Sequence, residues 1–582
     1  MYDYNCPDCN EAKLQTDKNA RKINEVIDEV NTLIDVYNGT VEFIKEKANE
    51  EVKEIAKIKV NEVIGDLRTE VDNIKIVQGV NVEDFKRLDN ETTDVGRINR
   101  AIQFAKENNI NIVNFAPLTY DVTDGTIICD WKVDLVGYGG VNSTTFDKRG
   151  TTVLNAYNST TEEPVIKYSV NKGSYIMGVR FSNFCIIGCN NWYQEDVKQW
   201  SNRTAIHLEN VAREYKLEDI SIIGFKKHAI KGVNLWDGSA FGLSISFCGT
   251  DGLYPAVYFT GDRENSNAGH WYGIHMEHVP YMIKFDSGTR HMQITDSKFE
   301  VGEQKALNSY IQIDKSCQEI LFKGNQFVNN NYSDVATSLY PHMFKINNRH
   351  TVFDNNMFSS PTPTGALWID ASESNGIKIV NNNFNFMACL DYAIKLKDNS
   401  QVHNNTFWIN THVNTGRKRG LYVDGWFNII TNNFVRSEVT TDSPTEGAIF
   451  SCSSSSTNNI FSNRFQNGFK SFMKYNVPNS NNKIVPMYSS AGVISDNRGK
   501  PEMSIEYDIF YVENTQTVYI NDFIHHKYIN KKITLIGKEE YTKIVNGTGI
   551  KTKDGNTINM TKGKIVKFIY CDVGDGYQWV EV

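Results

Sequence analysis

Long apolar runs are missing from this chain of 582 residues, and its start, Met1-Tyr2-Asp3-Tyr4-Asn5-Cys6, lacks the basic and apolar regions of a signal peptide. The first absence leaves nothing to span a bilayer, so no membrane insertion is expected. The second places synthesis in a cytoplasm, with retention there or exit by a route other than secretion. Excess positive charge is also lacking: 61 Lys and Arg stand against 69 Asp and Glu, a net charge of −8. That balance excludes a broad nucleic-acid surface and repels polyanions in general, so an anionic polymer would have to be held locally. The ten cysteines lack the spacing of a disulfide framework, which fits a reducing compartment. Only Cys6-Pro7-Asp8-Cys9 has C-x-x-C spacing, and one such pair is half of what a zinc ion takes. Two free thiols are the plain reading, a site shared by three chains the alternative. What is present is ample for a core, with 40% hydrophobic and 12% aromatic residues.

From Ile220 to Tyr475 the chain repeats itself. Ten short alternating segments begin at Ile230, Val257, Ile283, Ile311, Phe344, Leu367, Ile394, Leu421, Ile449 and Met473, nine intervals that cover 243 positions and average 27. A second column keeps the same step: Asn325-x-Phe327, Asn356-x-Phe358, Asn382-x-Phe384, Asn405-x-Phe407, Asn432-x-Phe434 and Asn463-x-Phe465. Two strands and an Asn-containing bend per repeat predict a parallel β-helix, each coil stacking on the last. Asn adopts left-handed backbone and hydrogen-bonds locally, so one per coil builds an amide ladder with Phe stacked inside.

Before the repeats, Ile27, Ile34, Val41, Ala48 and Ile55 form one seam of a heptad pattern, and Ile23, Val30, Tyr37, Ile44 and Ile58 the other. Ile at both seam positions favours three or four strands over two, so a short trimeric coiled coil is expected, weakened at Asn38-Gly39 and Glu51. An amphipathic helix follows from Asp94 to Ala105, then Ile110-Asn111-Ile112-Val113-Asn114-Phe115-Ala116-Pro117-Leu118-Thr119-Tyr120 and Val133-Asp134-Leu135-Val136-Gly137-Tyr138-Gly139. A surface excursion is expected around Asn190-Asn191-Trp192-Tyr193-Gln194. The last ~80 residues read as a small β unit, with strands at Ile509–Val512, Thr517–Ile520, Lys532–Ile536, Ile565–Tyr570 and Gln578–Val582 and turns at Asn546-Gly547 and Asp554-Gly555.

The stretch from Asp94 to Gly139 resembles the start of pectate-lyase-like domains, in which a helix caps the first coil and a strand with a Pro and aromatic turn opens the solenoid. Leu118 stands where that pattern has Gly, so the likeness speaks for fold more than activity. Gly555 to Trp579 is similar to the terminal β module of phage tail spikes. Together these features resemble a bacteriophage tail spike or pre-neck appendage protein. The resemblance implies a mainly β chain, with a right-handed parallel β-helix, an N-terminal helical coiled coil and a small C-terminal β domain. Its implied divisions are 1–80 for virion attachment and coiled coil, 81–150 for the cap and first coils, 151–500 for the β-helix, and 501–582 for trimerisation or capping. It further implies a homotrimer made in the host cytoplasm and carried on the virion, joined through its N-terminus to tail or neck proteins, with a bacterial cell-wall glycan as partner. No cofactor follows from it.

Solenoid sheets present straight rows of outward side chains along which a polymer can lie. The irregular middle coils are richest in candidates: Asp251, the insertion holding Asp262 and Glu264, and the run from Trp271 through His275 to Glu277. With Ile274 and Met276 inward, alternation turns Trp271, His275 and Glu277 out, and places Gln293 and Thr295 of the next coil beside them, with Asp296 at the following bend. Glycoside cleavage needs two carboxyl groups, one to protonate the leaving oxygen and one to activate water or attack. Glu277 is the first choice, Asp262 or Asp296 its partner, Glu264 and His275 supporting, and Trp271, Gln293 and Asp251 would contact sugar. Asp296 also fits a plain bend residue. No metal site is expected for this chemistry. β-Elimination would need a carboxylate cluster with Arg or Lys as base, and none stands out; phosphodiester hydrolysis could use a metal on His275. A non-catalytic trimeric adhesin and a bacterial polysaccharide lyase are the rival readings.

Overall fold

The computed structural model describes residues 7–47, 57–66, 79–139, 150–171, 173–190, 200–249, 252–261, 266–301, 309–329, 342–360, 368–386, 392–409, 419–437, 449–466, 475–478, 481–485, 492–494, 500–501, 508–523, 531–574 and 576–582. Apolar residues at every second position in short extended segments pair in parallel, coil upon coil, into a 13-stranded and a 24-stranded sheet. The inward column of the 13-stranded sheet runs Ile206, Ile230, Val257, Ile283, Ile311, Phe344, Ile369, Ile394, Leu421 and Phe450, each paired with the next. The chain is thus a parallel β-sheet solenoid. Three positions of the expected column are corrected. Ile369, Phe450 and Tyr475 pair where Leu367, Ile449 and Met473 were expected. Leu367 and Met473 lie outside the described residues. The slips of two residues, at Ile369 and Tyr475, keep the same face inward, so alternation alone does not detect them, whereas the slip of one at Phe450 exchanges the faces.

The middle coils carry three strands, not two, while in others, such as Lys216–Phe225 and Ile429–Ser437, one long strand runs through both flanks. After Ile283–Phe285 come Gln293–Thr295 and Lys298–Val301, and these two strands belong to the two flanks of the 24-stranded sheet. The first flank stacks His270–Tyr272 on Gln293–Thr295, and the second stacks His275–Glu277 on Lys298–Val301. Between the flanks lies a corner of one left-handed residue, among them Gly273 (φ 63°), Asp296 (49°), Gly324 (70°), Asn355 (55°) and Asn381 (58°). The next residue turns inward, and from Asn325 it is an amide ladder: Asn325, Asn356, Asn382, Asn405, Asn433 and Asn463, each Nδ2 donating to the Oδ1 of the next at 2.7–3.0 Å. Asn432 is therefore not a rung. It takes the left-handed position, and an irregularity between Thr431 and Phe434 sends Phe434 outward and Val435 in. A second ladder, Asn428 to Asn459 to Asn482, holds another corner. Inside, Phe299, Phe327, Phe358, Phe384 and Phe407 stack at 4.5–5.2 Å between ring centres, each pair adding about 1 kcal/mol beyond its buried area.

The helix Val95–Glu107 buries Val95, Ile98, Ala101, Ile102 and Ala105 against the first strands, closing the apolar end of the stack. Arg203 is fully buried there, its guanidinium donating to the carbonyls of Val122, Gly125, Glu163 and Pro164. At the N-terminus Pro7–Lys47 is one continuous helix through Asn38-Gly39. Its Val30, Leu33, Ile34 and Tyr37 face Val60, Val63 and Ile64 of the helix at 57–66, yet Ile27, Leu33, Ile34 and Val36 stay 44–59% exposed. No helix among the described residues is long and apolar enough to cross a membrane. Residues from Ile494 to Trp579 form a separate buried cluster under a six-stranded sheet that includes antiparallel pairs and a three-stranded one. The side chains of Cys6 and Cys9 and the excursion after Asn190 lie outside what is described.

Candidate functional site

Met276 is buried between two outward neighbours, so the three-residue strand His275–Glu277 presents an imidazole and a carboxylate from one side, with Nε2 to Oε2 at 3.9 Å. The pairing sets Lys298 beside His275 and Glu300 beside Glu277. Lys298 Nζ lies 2.5 Å from Glu300 Oε2. One donor atom each of His275, Glu277 and Glu300 falls within 4.8 Å of the others. Strands about 4.8 Å apart bring such neighbours together without any loop, on a backbone fixed from both sides. His275 Nε2 is buried without a hydrogen bond. Burial holds the imidazole below its ordinary pKa, against the pull of Glu277, so it is neutral at pH 7. Beside Glu277, the partly exposed His278 ring stacks on Phe247 at 4.7 Å, and the buried Trp200 supports Phe247 edge-on at 5.6 Å.

Several expected members of the site are elsewhere. Trp271 points inward and is fully buried, with Nε1 donating to Tyr215 Oη at 3.2 Å, so no sugar can stack on it. The left-handed Gly273 resets the alternation between the two strands; Tyr272, stacked on Phe241 at 4.8 Å, is the exposed ring instead. Gln293 and Thr295 pair with His270 and Tyr272 on the first flank, not with His275 and Glu277. Asp296 is an exposed corner residue in register with Gly273 and Gly324. Asp251, Asp262 and Glu264 lie outside the described residues. Glu300 and Lys298 were missed, although their offset of 23 from Glu277 and His275 is the same as that of Gln293 from His270.

The three donors suit a divalent cation by type, imidazole plus two carboxylates. The Lys298 ammonium already supplies positive charge to Glu300. Without an ion the same groups form a carboxyl pair flanked by a base and a cation.

The chain matches no family model. Among solved structures the chain is similar to the Streptococcus pneumoniae surface protein and adhesin PfbA (TM-score 0.47, 14% identity, 67% of this chain and 100% of that one) and to the DFA-IIIase of Arthrobacter chlorophenolicus A6 without its lid (0.42, 12%, 67% and 98%). ORF18 of Geobacillus virus E2 scores 0.37 at 16% identity over 89% of this chain and 78% of that one. Among curated proteins, the chain is 27% identical over 172 residues to depolymerase 1, capsule KN3-specific, of Klebsiella phage KN3-1. That match takes in 28% of this chain and 22% of the phage protein, so the chain spans about a fifth of its relative's length.

Proposed function

We propose that the protein is a phage tail spike that attaches to a host cell-surface glycan, wall teichoic acid or exopolysaccharide, and cuts it by hydrolysis. The observation that carries this reading is the outward pair Glu277 and Glu300, held in register on adjacent strands with donor oxygens within 4.8 Å. Oxygens this close fall nearer the roughly 5–5.5 Å carboxyl separation of retaining hydrolysis than the roughly 6.5–9.5 Å of inverting enzymes; in retaining hydrolysis one carboxyl attacks the anomeric carbon and the other protonates the leaving oxygen and then activates water. Glu300, paired with Lys298, is the nucleophile; Glu277, beside neutral His275, is the acid and base. The partly exposed rings of His278 and Phe247 receive a sugar ring. The partial likeness to a phage depolymerase supports the class. The half-exposed seam of Pro7–Lys47 supports assembly as a homotrimer through the N-terminal helices, which then join the chain to the tail or neck of the virion. The residues after 501 act in trimerisation or capping.

The test incubates purified protein with host wall polymer and exopolysaccharide and measures new reducing ends, unsaturated uronate and released glycerol phosphate. Reducing ends are expected, falling about a thousandfold in Glu277→Gln and Glu300→Gln. Unsaturated uronate would mark a lyase instead. Binding without any product would make the protein an adhesin.

A further inference from the structure

A different corner of the solenoid, where the 13-stranded sheet gives way to the first flank, is also built as a column. Each coil contributes an extended residue and then a left-handed one: Gln318 and Glu319 (φ 54°), Arg349 and His350 (63°), Asn375 and Gly376 (83°), Trp426 and Phe427 (58°). Asp398 and Asn399 (53°) fill the coil before Trp426, whose N–H donates to Asp398 Oδ1 at 2.8 Å. Along the lower rungs runs an open groove of about 760 Å³, lined by Lys315, Gln318, Arg349, Glu373, Asn375 and Asp398 among others. Lys315 and Arg349 are exposed and have no ion-pair partner among the described residues, whereas Lys397 sits 3.4 Å from Asp424. Immediately above the groove Trp426 and Phe427 are 54% and 57% exposed. A bulky ring in left-handed backbone is unusual, and every other rung named here fills that position with a polar residue or Gly.

We propose that this groove is a second glycan-binding site, taking a run of acidic sugars lengthwise along the coils, with one ring seated on Trp426 and Phe427. It shares no residue with the pair Glu277 and Glu300, and it rests on the glycan reading given above. Polar side chains repeated about every 4.8 Å offer hydroxyl partners along a strand. The two unpaired cations select carboxylate or phosphate substituents, and exposed aromatic faces stack on the apolar face of a sugar. A groove that holds the polymer beside a separate cleaving site raises the local concentration of scissile bonds.

The test uses full-length protein carrying Glu300→Gln, so that polymer is held rather than cut, on an array of bacterial surface glycans. The array contains uronate-bearing capsular oligosaccharides, teichoic acid fragments and neutral oligosaccharides. Trp426→Ala and Phe427→Asn are each expected to weaken the best acidic ligand about tenfold. Phe427→Asn should also raise the melting temperature, because Asn tolerates left-handed backbone, and this separates lost binding from lost folding. Lys315→Gln with Arg349→Gln should flatten the salt dependence of binding. If the array binds but none of these variants weakens it, the groove is overturned while the proposed function stands. Equal binding of neutral and acidic ligands overturns the choice of acidic sugars. If the parent protein binds no glycan, the proposed function falls, and this site with it.

Discussion

From Asn325 to Asn463 the corner between the flanks is turned on buried amides, whereas in the coils before it the same place is held by Ile220, Leu243, Ile274 and Ser297. An Asn rung has two donors and an acceptor, enough to satisfy a neighbouring amide and the backbone groups that the corner leaves unpaired. Asn382 alone donates to Phe353 O, Val380 O and Asn405 Oδ1 and accepts from Asn356 N and Nδ2. Ser297 does less, accepting from Ile274 N and donating to Thr295 O. The later coils commit this position to holding the rod together. The earlier ones vary it, and there the outward rows collect the His, Glu and Lys of the candidate site. Repetition marks what supports the molecule, and the candidate site lies among the departures from it.

The comparison is broken most directly at its strongest rung. Asn382→Ala leaves several buried donors and acceptors unmatched and is expected to cost about 4 kcal/mol, against about 1 kcal/mol for Ser297→Ala. Urea unfolding rates of the two variants measure the gap; equal rates would mean the ladder is decoration rather than support.

The same contrast explains what the sequence reveals. Stacking coils repeat their inward residues, so the periodic Ile and Phe columns and the Asn ladder are readable from spacing alone. Phase is not readable wherever a corner inserts one left-handed residue. Gly273 has no side chain to announce its role, and it exchanges Trp271 for Tyr272 on the outer face. At Asn432-Asn433 two adjacent amides compete for one rung, and only the strand pairing shows that Asn433 wins. His275 and Glu277 follow from local alternation. Glu300 does not, because finding it requires knowing that three strands, not two, complete a coil.

Acid sharpens the comparison next. The early coils bury imidazoles: His228, its Nδ1 2.6 Å from Pro255 O, is held by desolvation at a pKa of about 4, and burial brings His207 to about 4 as well. Amides in the later ladder do not titrate. A histidine with a folded pKa below its unfolded value of about 6.5 takes up protons on unfolding, so its neutral burial is favourable above pH 6.5 and becomes destabilising as pH falls toward 4. His228 accounts for about 2 kcal/mol of lost stability between pH 7 and pH 5. Hydrogen exchange at the two pH values should loosen strands around Ile206–Glu209 and Ile230–Val233 before those around Asn382 and Asn405. Uniform loosening would contradict the assignment, as would a His228→Gln variant with undiminished acid sensitivity.

The smallest expected effect decides the most about Asp296. Its sequence context allows two roles, catalytic partner of Glu277 or corner residue, and the two diverge sharply on substitution. At φ 49° it occupies the left-handed place held by Gly324 and Asn355 in the following coils. Asn is at least as comfortable there as Asp, so Asp296→Asn should alter stability by under about 0.5 kcal/mol. The proposed depolymerising activity should stay within about twofold, since the carboxyl paired with Glu277 comes from Glu300. A catalytic acid or base replaced by its amide loses about a hundredfold or more. A drop of that size in Asp296→Asn, with Glu300→Gln still active, would move the carboxyl pair from two adjacent strands to a strand and a corner, and the retaining geometry would go with it.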